Sequence, residues 1–526
     1  MPEGKGFAAL TISRELLAAA GSKITLRFDL PILDIQGYWA PNMFYPEMRL
    51  PWTLDFYSAA NRCMPFVVWN NLGGVNRGAF ALTCINEDAH FNSQMSQAGH
   101  CLEMTWTVAI SKETESFDFL ANFDEIHFAE IITAYRKKVA PENPSFPDAA
   151  WQPVYCTWYA AHAAYTIDFL EKNAALAKEY GFGTFILDDG WSYDTVKRLT
   201  PATCPEWFSE IGSWQISEKK LPNFAEHVKR VQAMGLNYVI WFSPYLIGQK
   251  HEKYNDLKQR GSIIFDSDDG SSAYDPADIE MRDYTCSRFI DTFRKYGFDG
   301  VKIDFIDFVR PNVDNPHGIA AYNYVRQLVE KVRETRPDAL IEFRQFYATP
   351  AMLPFATNFR ANDVPFDFMA NFHRCALVRA TLGDGIPVHS DPIWFHPEES
   401  SVNVARHFMA ALMGVPMISL DLDKISLCHA AIIKRFMSFY HEHLDTFRTG
   451  HWSIRYRMGM IASVTVETNE EKITFLLTDK INLAQGKNNI ILNLSPDAIP
   501  FDGNAIDADG NQIAGFIPEG GMGIRN

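Results

Sequence analysis

"GFDGVKIDF", Gly297 to Phe305, follows the amphipathic stretch "MRDYTCSRFIDTFRKYG" and ends an apolar run in a carboxylate: Val301, Lys302, Ile303, Asp304. A short branched apolar run after a helical pattern reads as a buried strand of a parallel sheet. The unit recurs on both sides. "PVYCTW" precedes "IDFLEKNAALAKEYG", "TFILD" and "YVIWF" flank "NFAEHVKRVQAMG", and "AAYNYVRQLVEKVRETR", "ALIEF", "VARHFMAALMG" and "PMISL" continue the alternation. Strands alternating with helices require a parallel sheet covered by helices, and the number of units suits a closed barrel of eight strands. An open doubly wound sheet is the alternative. No glycine fingerprint follows the first strand and the units outnumber those of the usual open sheet, which favours the barrel.

The texture differs at both ends. Up to Pro147, "CMPFVVWNNLGG", "GAFALTCINED" and "LEMTWTVAISKET" alternate β-rich runs with turns, as an antiparallel sandwich does. Past Trp452, "MGMIASVTVE", "KITFLLTD" and "NNIILNLS" return to that pattern. The expected layout is α/β: an abbreviated amino-terminal β-sandwich at 1–147, a (β/α)8 TIM barrel at 148–449 and a small carboxy-terminal β-sandwich at 450–526. The 526 residues are 47% hydrophobic and 13% aromatic, enough for two or three packed domains. A net charge of -16 argues against nucleic acid or an anionic membrane as partner and favours neutral or cationic small molecules. The eight cysteines lack CxxC spacing, so neither a disulfide framework nor a zinc knuckle is expected. The first residues never sustain the apolar core of a signal peptide, and no stretch is long enough to span a bilayer, so a cytoplasmic location is expected.

The carboxyl ends of barrel strands open into the loops that bind substrate, so an acid there faces ligand rather than core. Asp304 holds such a place. "TFILDDGW" delivers Asp188, Asp189 and Trp191, "YVIWFSP" delivers Trp241, "ALIEFRQF" delivers Glu342 and Arg344, and "IPVHSDPIW" delivers His389, Asp391 and Trp394. Carboxylates and cations grip sugar hydroxyls while aromatic faces cover C–H patches, so this mixture suits a carbohydrate. Each piece alone has a plainer explanation: acids cap helices, tryptophans fill cores, and Lys302 could be solvated, although a lysine within an apolar strand needs a partner. His162, His389 and His396 lack metal-ligand spacing. The weight lies in their convergence on one end of successive strands. No metal or organic cofactor is expected.

"YCTWYA", "FILDDGW", "GSWQISEKKLPNFAEHVKRVQAMGLNYVIWFSP", "YDPADIEMRDYTCSRFIDTFRKYGFDGVKIDF" and "FRANDVPFD", in this order, resemble the barrel of clan D glycoside hydrolases, most closely family 36, from about Trp151 to Leu422. That family includes α-galactosidases, α-N-acetylgalactosaminidases and raffinose synthases, and its sandwich, barrel and sandwich match the three textures above. The resemblance implies Asp304 of "K-x-D" as nucleophile beside Lys302, and Asp363 of "RANDV" as acid/base, with Arg360 near the sugar and the carboxylates. Asp367 is a rival for the acid. It further implies that Asp188 and Asp189 bind the hydroxyls that mark galactose, supported by Trp191, and that Trp158, Tyr159 and Trp241 wall the pocket.

A retaining glycosidase needs an ionised carboxylate below the anomeric carbon and a protonated one near the leaving oxygen, about 5 Å apart. Lys302 and Arg360 would keep Asp304 ionised, while Asp363 must hold a proton near neutral pH. The chain departs from the family in its short amino-terminal region, which leaves open whether that region or a neighbouring subunit completes the pocket. It departs again at Arg344 and Gln345, where relatives carry a glycine- or cysteine-containing loop beneath the sugar. Three functions stand: a retaining exo-α-galactosidase of small soluble α-glycosides or oligosaccharides, a galactosyltransferase of raffinose synthase type, and a carbohydrate-binding protein on the same fold. A homo-oligomer is compatible with each.

Overall fold

A computed structural model describes residues 6–42, 50–140, 145–194, 200, 208–268 and 270–525; Cys204 lies outside them. Eight parallel strands form its centre: β1 (Val154–Cys156), β2 (Thr184–Leu187), β3 (Asn237–Phe242), β4 (Gly300–Ile303), β5 (Leu340–Arg344), β6 (Asn358–Arg360), β7 (Val388–His389) and β8 (Met417–Ile418). Each pairs with the next, and β8 returns to β1 with Val154 opposite Met417. A parallel bridge from His389 to Val415 closes the remaining gap between β7 and β8. The ring is the barrel, and the open-sheet alternative falls with it.

The helical patterns form the outer layer, among them Ile167–Glu179, Ile279–Tyr296, Phe368–Leu382 and Leu427–Glu442. Their starts are chemically set. Thr166, Asp278 and Ser426 each accept the third helical amide on their side chains, which satisfies a donor that the helix itself cannot. Gly297 ends Ile279–Tyr296 at φ 67°, a left-handed conformation that glycine adopts without Cβ strain, and turns the chain into β4.

Side chains alternate along each strand. Tyr155, Phe185, Tyr238 and Val301 point outward into the large core under the helices. Val154, Cys156, Ile186, Val239, Leu340 and Met417 form an apolar cluster of their own, the floor inside the barrel. Above it the inward positions become polar by register: Lys302 lies opposite Trp241 on one side and Glu342 on the other, and Arg344 lies opposite Arg360.

The amino-terminal strands form a five-stranded and a four-stranded antiparallel sheet, joined by a core that includes Phe56, Phe66, Trp69, Phe80, Phe91 and Trp106. At the other end a seven-stranded sheet, with one parallel pair (Glu471–Leu476 with Asn488–Asn493), lies beside a two-stranded one. One sheet has no counterpart in the sequence reading. Leu246–Gly248, Ile263–Asp266 and Ser271–Tyr274 form a small antiparallel insertion after β3, in strands of three or four residues too short to show alternation. The seven described cysteines are free thiols. Among the described residues no helix is long and apolar enough to cross a membrane.

Candidate active site

The carboxyl ends of the barrel strands surround a cavity of about 250 Å³. Trp158, Tyr159, Asp188, Asp189, Trp241, Lys302, Asp304, Arg344, Arg360 and Asp363 line it, together with Cys156, Phe208, Phe305 and Pro392. Every residue that the family resemblance gives to catalysis or to the sugar is on that wall except Trp191 and the rival acid Asp367; of the other strand-end candidates, Glu342, His389, Asp391 and Trp394 are not on it. The Trp191 ring is fully buried behind it, donating from Nε1 to the carbonyl of Trp241 at 2.9 Å. As a partner of Trp241 it has no direct access to a ligand, which corrects its assignment to substrate.

Asp304 sits at the bottom, its side chain 5% exposed. Its Oδ2 accepts from Trp241 Nε1 at 3.0 Å and lies 3.5 Å from Lys302 Nζ, while its Oδ1 accepts from Arg344 Nη1 at 2.9 Å. Burial alone would raise its pKa, but Arg344, Lys302 and Arg360 outweigh burial and hold the carboxyl below the usual range. Lys302 has the partner its position demands: Nζ donates to Asp188 Oδ2 at 2.7 Å, and Asp188 with Asp304 keeps the ammonium protonated despite burial. Asp188 Oδ2 also accepts from the Cys156 thiol, and Asp188 Oδ1 from the amide of Asp189. Beneath Asp189, Lys220 donates to the carbonyl of Gly190 at 2.7 Å, and burial lowers its pKa to about 8.

Asp363 is the open member of the set, with a side chain 46% exposed. Its Oδ2 accepts from Arg344 Nη2 at 3.0 Å and its Oδ1 from Arg360 Nη1 at 2.9 Å. Burial of its inner side opposes ionisation, yet the two guanidinium groups hold the carboxyl well below the usual range. The resting site therefore favours the Asp363 carboxylate, not the neutral acid that the sequence reading required. Asp367 is no rival: its side chain caps Phe368–Leu382 through the amide of Ala370 and lies off the cavity wall.

Three features go beyond what was read from the sequence. Phe305, next to Asp304, adopts φ 78°, a strained conformation for a bulky residue, and its ring carries the Arg344 guanidinium 4.8 Å from its centroid. Glu342 is buried against His389 Nδ1 at 2.5 Å and supports Arg360 from below at 3.5 Å. Asp391, flagged only as a strand-end acid, is fully buried and accepts from Arg360 Nη1 at 2.5 Å. Its "HSD" signal was visible, but no sequence rule distinguishes an acid behind the wall from one on it. Among the described residues no group of three or more histidine, cysteine or acidic side chains could hold a metal ion.

The Melibiase family model matches residues 128–261. The bifunctional alpha-galactosidase/sucrose kinase AgaSK of Mediterraneibacter gnavus is 25% identical over 205 residues, 35% of this chain and 20% of that protein. Alpha-galactosidase Mel36A of Lactobacillus acidophilus is 29% identical over 100 residues, 19% of this chain and 12% of that protein. The aligned stretches thus span a fifth or less of those relatives. In fold the likeness is far longer. The galactosidase domain of AgaSK superposes with a TM-score of 0.64 at 16% identity over 97% of this chain and 73% of that one. The GH36 alpha-galactosidase AgaA of Geobacillus stearothermophilus in complex with raffinose does so with a TM-score of 0.65 at 12% identity, over 96% and 77%. The chain is thus similar in sequence to the Melibiase family over residues 128–261, and over nearly its whole length it shares the fold of the GH36 alpha-galactosidases.

Proposed function

We propose that the protein is a retaining, exo-acting α-glycosidase that removes terminal α-galactosyl groups from small soluble glycosides and oligosaccharides. One observation carries the proposal: at a sugar-sized cavity walled by indoles, a buried carboxylate (Asp304) and an open one (Asp363) are fixed to the two ends of a single guanidinium. A double displacement needs two carboxyls so placed.

In the first step an Asp304 oxygen attacks the anomeric carbon, the bond to the leaving oxygen breaks, and Asp363 gives that oxygen a proton. In the second, Asp363 takes a proton from water, the water oxygen attacks the same carbon, and the bond to Asp304 breaks. Lys302 and Trp241 hold Asp304 Oδ2 throughout, which leaves Oδ1 as the attacking atom once Arg344 yields it. Asp188 and Asp189 stand ready to accept from sugar hydroxyls at the far wall. The curated relatives named above are alpha-galactosidases, and raffinose is the ligand in the AgaA complex, which makes that trisaccharide the natural first oligosaccharide to offer.

The test is release of nitrophenol from α- and β-nitrophenyl glycosides, run beside Asp304→Ala and Asp363→Ala. Turnover of the α-galactoside is expected, lost in Asp304→Ala and restored by azide as β-galactosyl azide. Adding an acceptor sugar separates hydrolysis from transfer by its products. Silence on the whole panel would overturn the α-galactosidase assignment.

A further inference from the structure

Asp363 must carry a proton when it meets the leaving oxygen, yet two guanidinium groups oppose that proton. Behind it lies a second acid that the reaction scheme leaves unused. Asp391 Oδ1 accepts from Arg360 Nη1 at 2.5 Å, and the same Nη1 donates to Asp363 Oδ1 at 2.9 Å. Asp391 Oδ2 accepts the amide of Val364, the residue after Asp363, at 2.7 Å, and the Tyr159 hydroxyl at 3.2 Å. Its backbone is pinned on both sides by Asn371, which accepts from its amide and donates to its carbonyl, each at 3.0 Å. Two carboxyls, one buried and one open, thus compete for one guanidinium nitrogen, which makes their titrations interdependent.

We propose that Asp391 is a positioning residue for acid catalysis: it competes with Asp363 for the same nitrogen, Arg360 Nη1, and so weakens the hold of that guanidinium on the Asp363 carboxylate, which then takes up its proton more readily. The proposal rests on the glycosidase function argued above. Charge balance supports it: three cations, Lys302, Arg344 and Arg360, face five carboxyls, Asp188, Asp304, Glu342, Asp363 and Asp391. The groups facing Asp391 are Arg360, Tyr159, Asp363, Lys302 and the Cys375 thiol; those facing Asp363 are Arg344, Arg360, Lys302, Asp304, Tyr159 and Asp391. Burial raises the Asp391 pKa to about 7, against the pull of Arg360. Without Asp391, Arg360 would serve Asp363 alone and the remaining acid would lose its proton at lower pH.

Asp391→Asn is compared with the unmodified enzyme on a 2,4-dinitrophenyl and a methyl α-galactoside. The first leaving group departs without a proton and the second does not. For the methyl glycoside kcat/KM is expected to fall on the order of 100-fold, with the descending limb of its pH profile moved to lower pH, while the dinitrophenyl glycoside changes less than about 3-fold. Equal losses on both substrates, or none, would overturn the proposal. Asp391→Ser serves if the asparagine variant does not fold. An independent readout is the ¹³Cγ titration of aspartate-labelled protein, with the Asp363 signal identified by its loss in Asp363→Asn. An Asp363 step at higher pH in the unmodified enzyme than in Asp391→Asn supports the competition, and the same step in both refutes it. If the unmodified enzyme turns over no galactoside the proposed function fails, and the titration still decides the coupling.

Discussion

Asp304 and Asp363 are held by one planar fork: Arg344 reaches Asp304 Oδ1 through Nη1 at 2.9 Å and Asp363 Oδ2 through Nη2 at 3.0 Å. Because the fork is rigid, the two carboxyls keep a fixed separation without touching each other. Their environments nonetheless diverge, 5% against 46% exposed. Divergent environments are how paired carboxyls acquire different roles.

Arg344→Lys keeps the charge and removes the fork. A lysine ammonium can serve one carboxyl at a time, so the loss should fall on kcat rather than KM, by roughly 100-fold. Arg344→Ala removes a cation from Asp363 as well. Its carboxyl then protonates more readily, and the descending limb of kcat/KM should move to higher pH. A pH–rate profile of both variants checks this, and an unmoved limb in Arg344→Ala would show that Asp363 is not the titrating acid.

Trp241 and Trp191 are adjacent indoles with different prospects. Trp241→Phe removes the Nε1 donor from Asp304 Oδ2, so the carboxylate loses a charged hydrogen bond and the ascending limb of kcat/KM should rise by roughly one pH unit. Trp191→Phe loses only a bond to the Trp241 carbonyl. It should cost stability of about 1 kcal/mol and leave that limb in place. Equal shifts in the two variants would mean that Trp191 acts through the ring of Trp241.

The sequence displayed the barrel because its strands are fully buried and flanked by amphipathic helices, a pattern that survives even where β7 and β8 have two residues each. It displayed the strand-end residues for the same reason: once β4 is a strand, period 2 puts Lys302 inward beside Asp188. Trp191 shows the limit. It stands only two residues past Asp189, yet Gly190 at φ 108° between them turns it away, a rotation that periodicity does not encode. Asp391 and Arg344 show another. Their meaning depends on sharing partners that lie 19 to 31 positions away in the chain, Asp363 for one and Arg360 for the other.

His407 gives the fold a pH-dependent component. It is buried between Phe368 and Phe395, with ring centroids at 5.5 and 6.1 Å, and burial lowers its pKa to about 4. The unfolded chain binds the proton near 6.5, so folding loses stability as pH falls from about 6.5 towards 4, by on the order of 3 kcal/mol in total. His407→Leu should flatten that slope in calorimetric melts between pH 7 and 4. A slope unchanged by the substitution would assign it to other groups.

Asn61 links the amino-terminal sheets to the loop that follows Asp304. Its fully buried side-chain amide gives both hydrogens to carbonyls, Ile306 at 2.9 Å and Val309 at 2.8 Å, across more than 240 positions. Thr349 Oγ1 returns a bond to the carbonyl of Ala60, and Arg62 lies 3.6 Å from Asp307. The amino-terminal strands thus brace the loop beside the candidate site. Asn61→Ala strands two buried carbonyls and should cost about 2 to 4 kcal/mol, read as a fall in Tm. It should also lower kcat on the α-galactoside well below that Tm, because Phe305 holds its strained φ only while the turn behind it is fixed. A lower Tm with unchanged kcat would mean that the Tyr347 hydroxyl, bonded to the carbonyl of Ile303 at 2.6 Å, suffices to set Asp304, and that the amino-terminal brace serves stability alone.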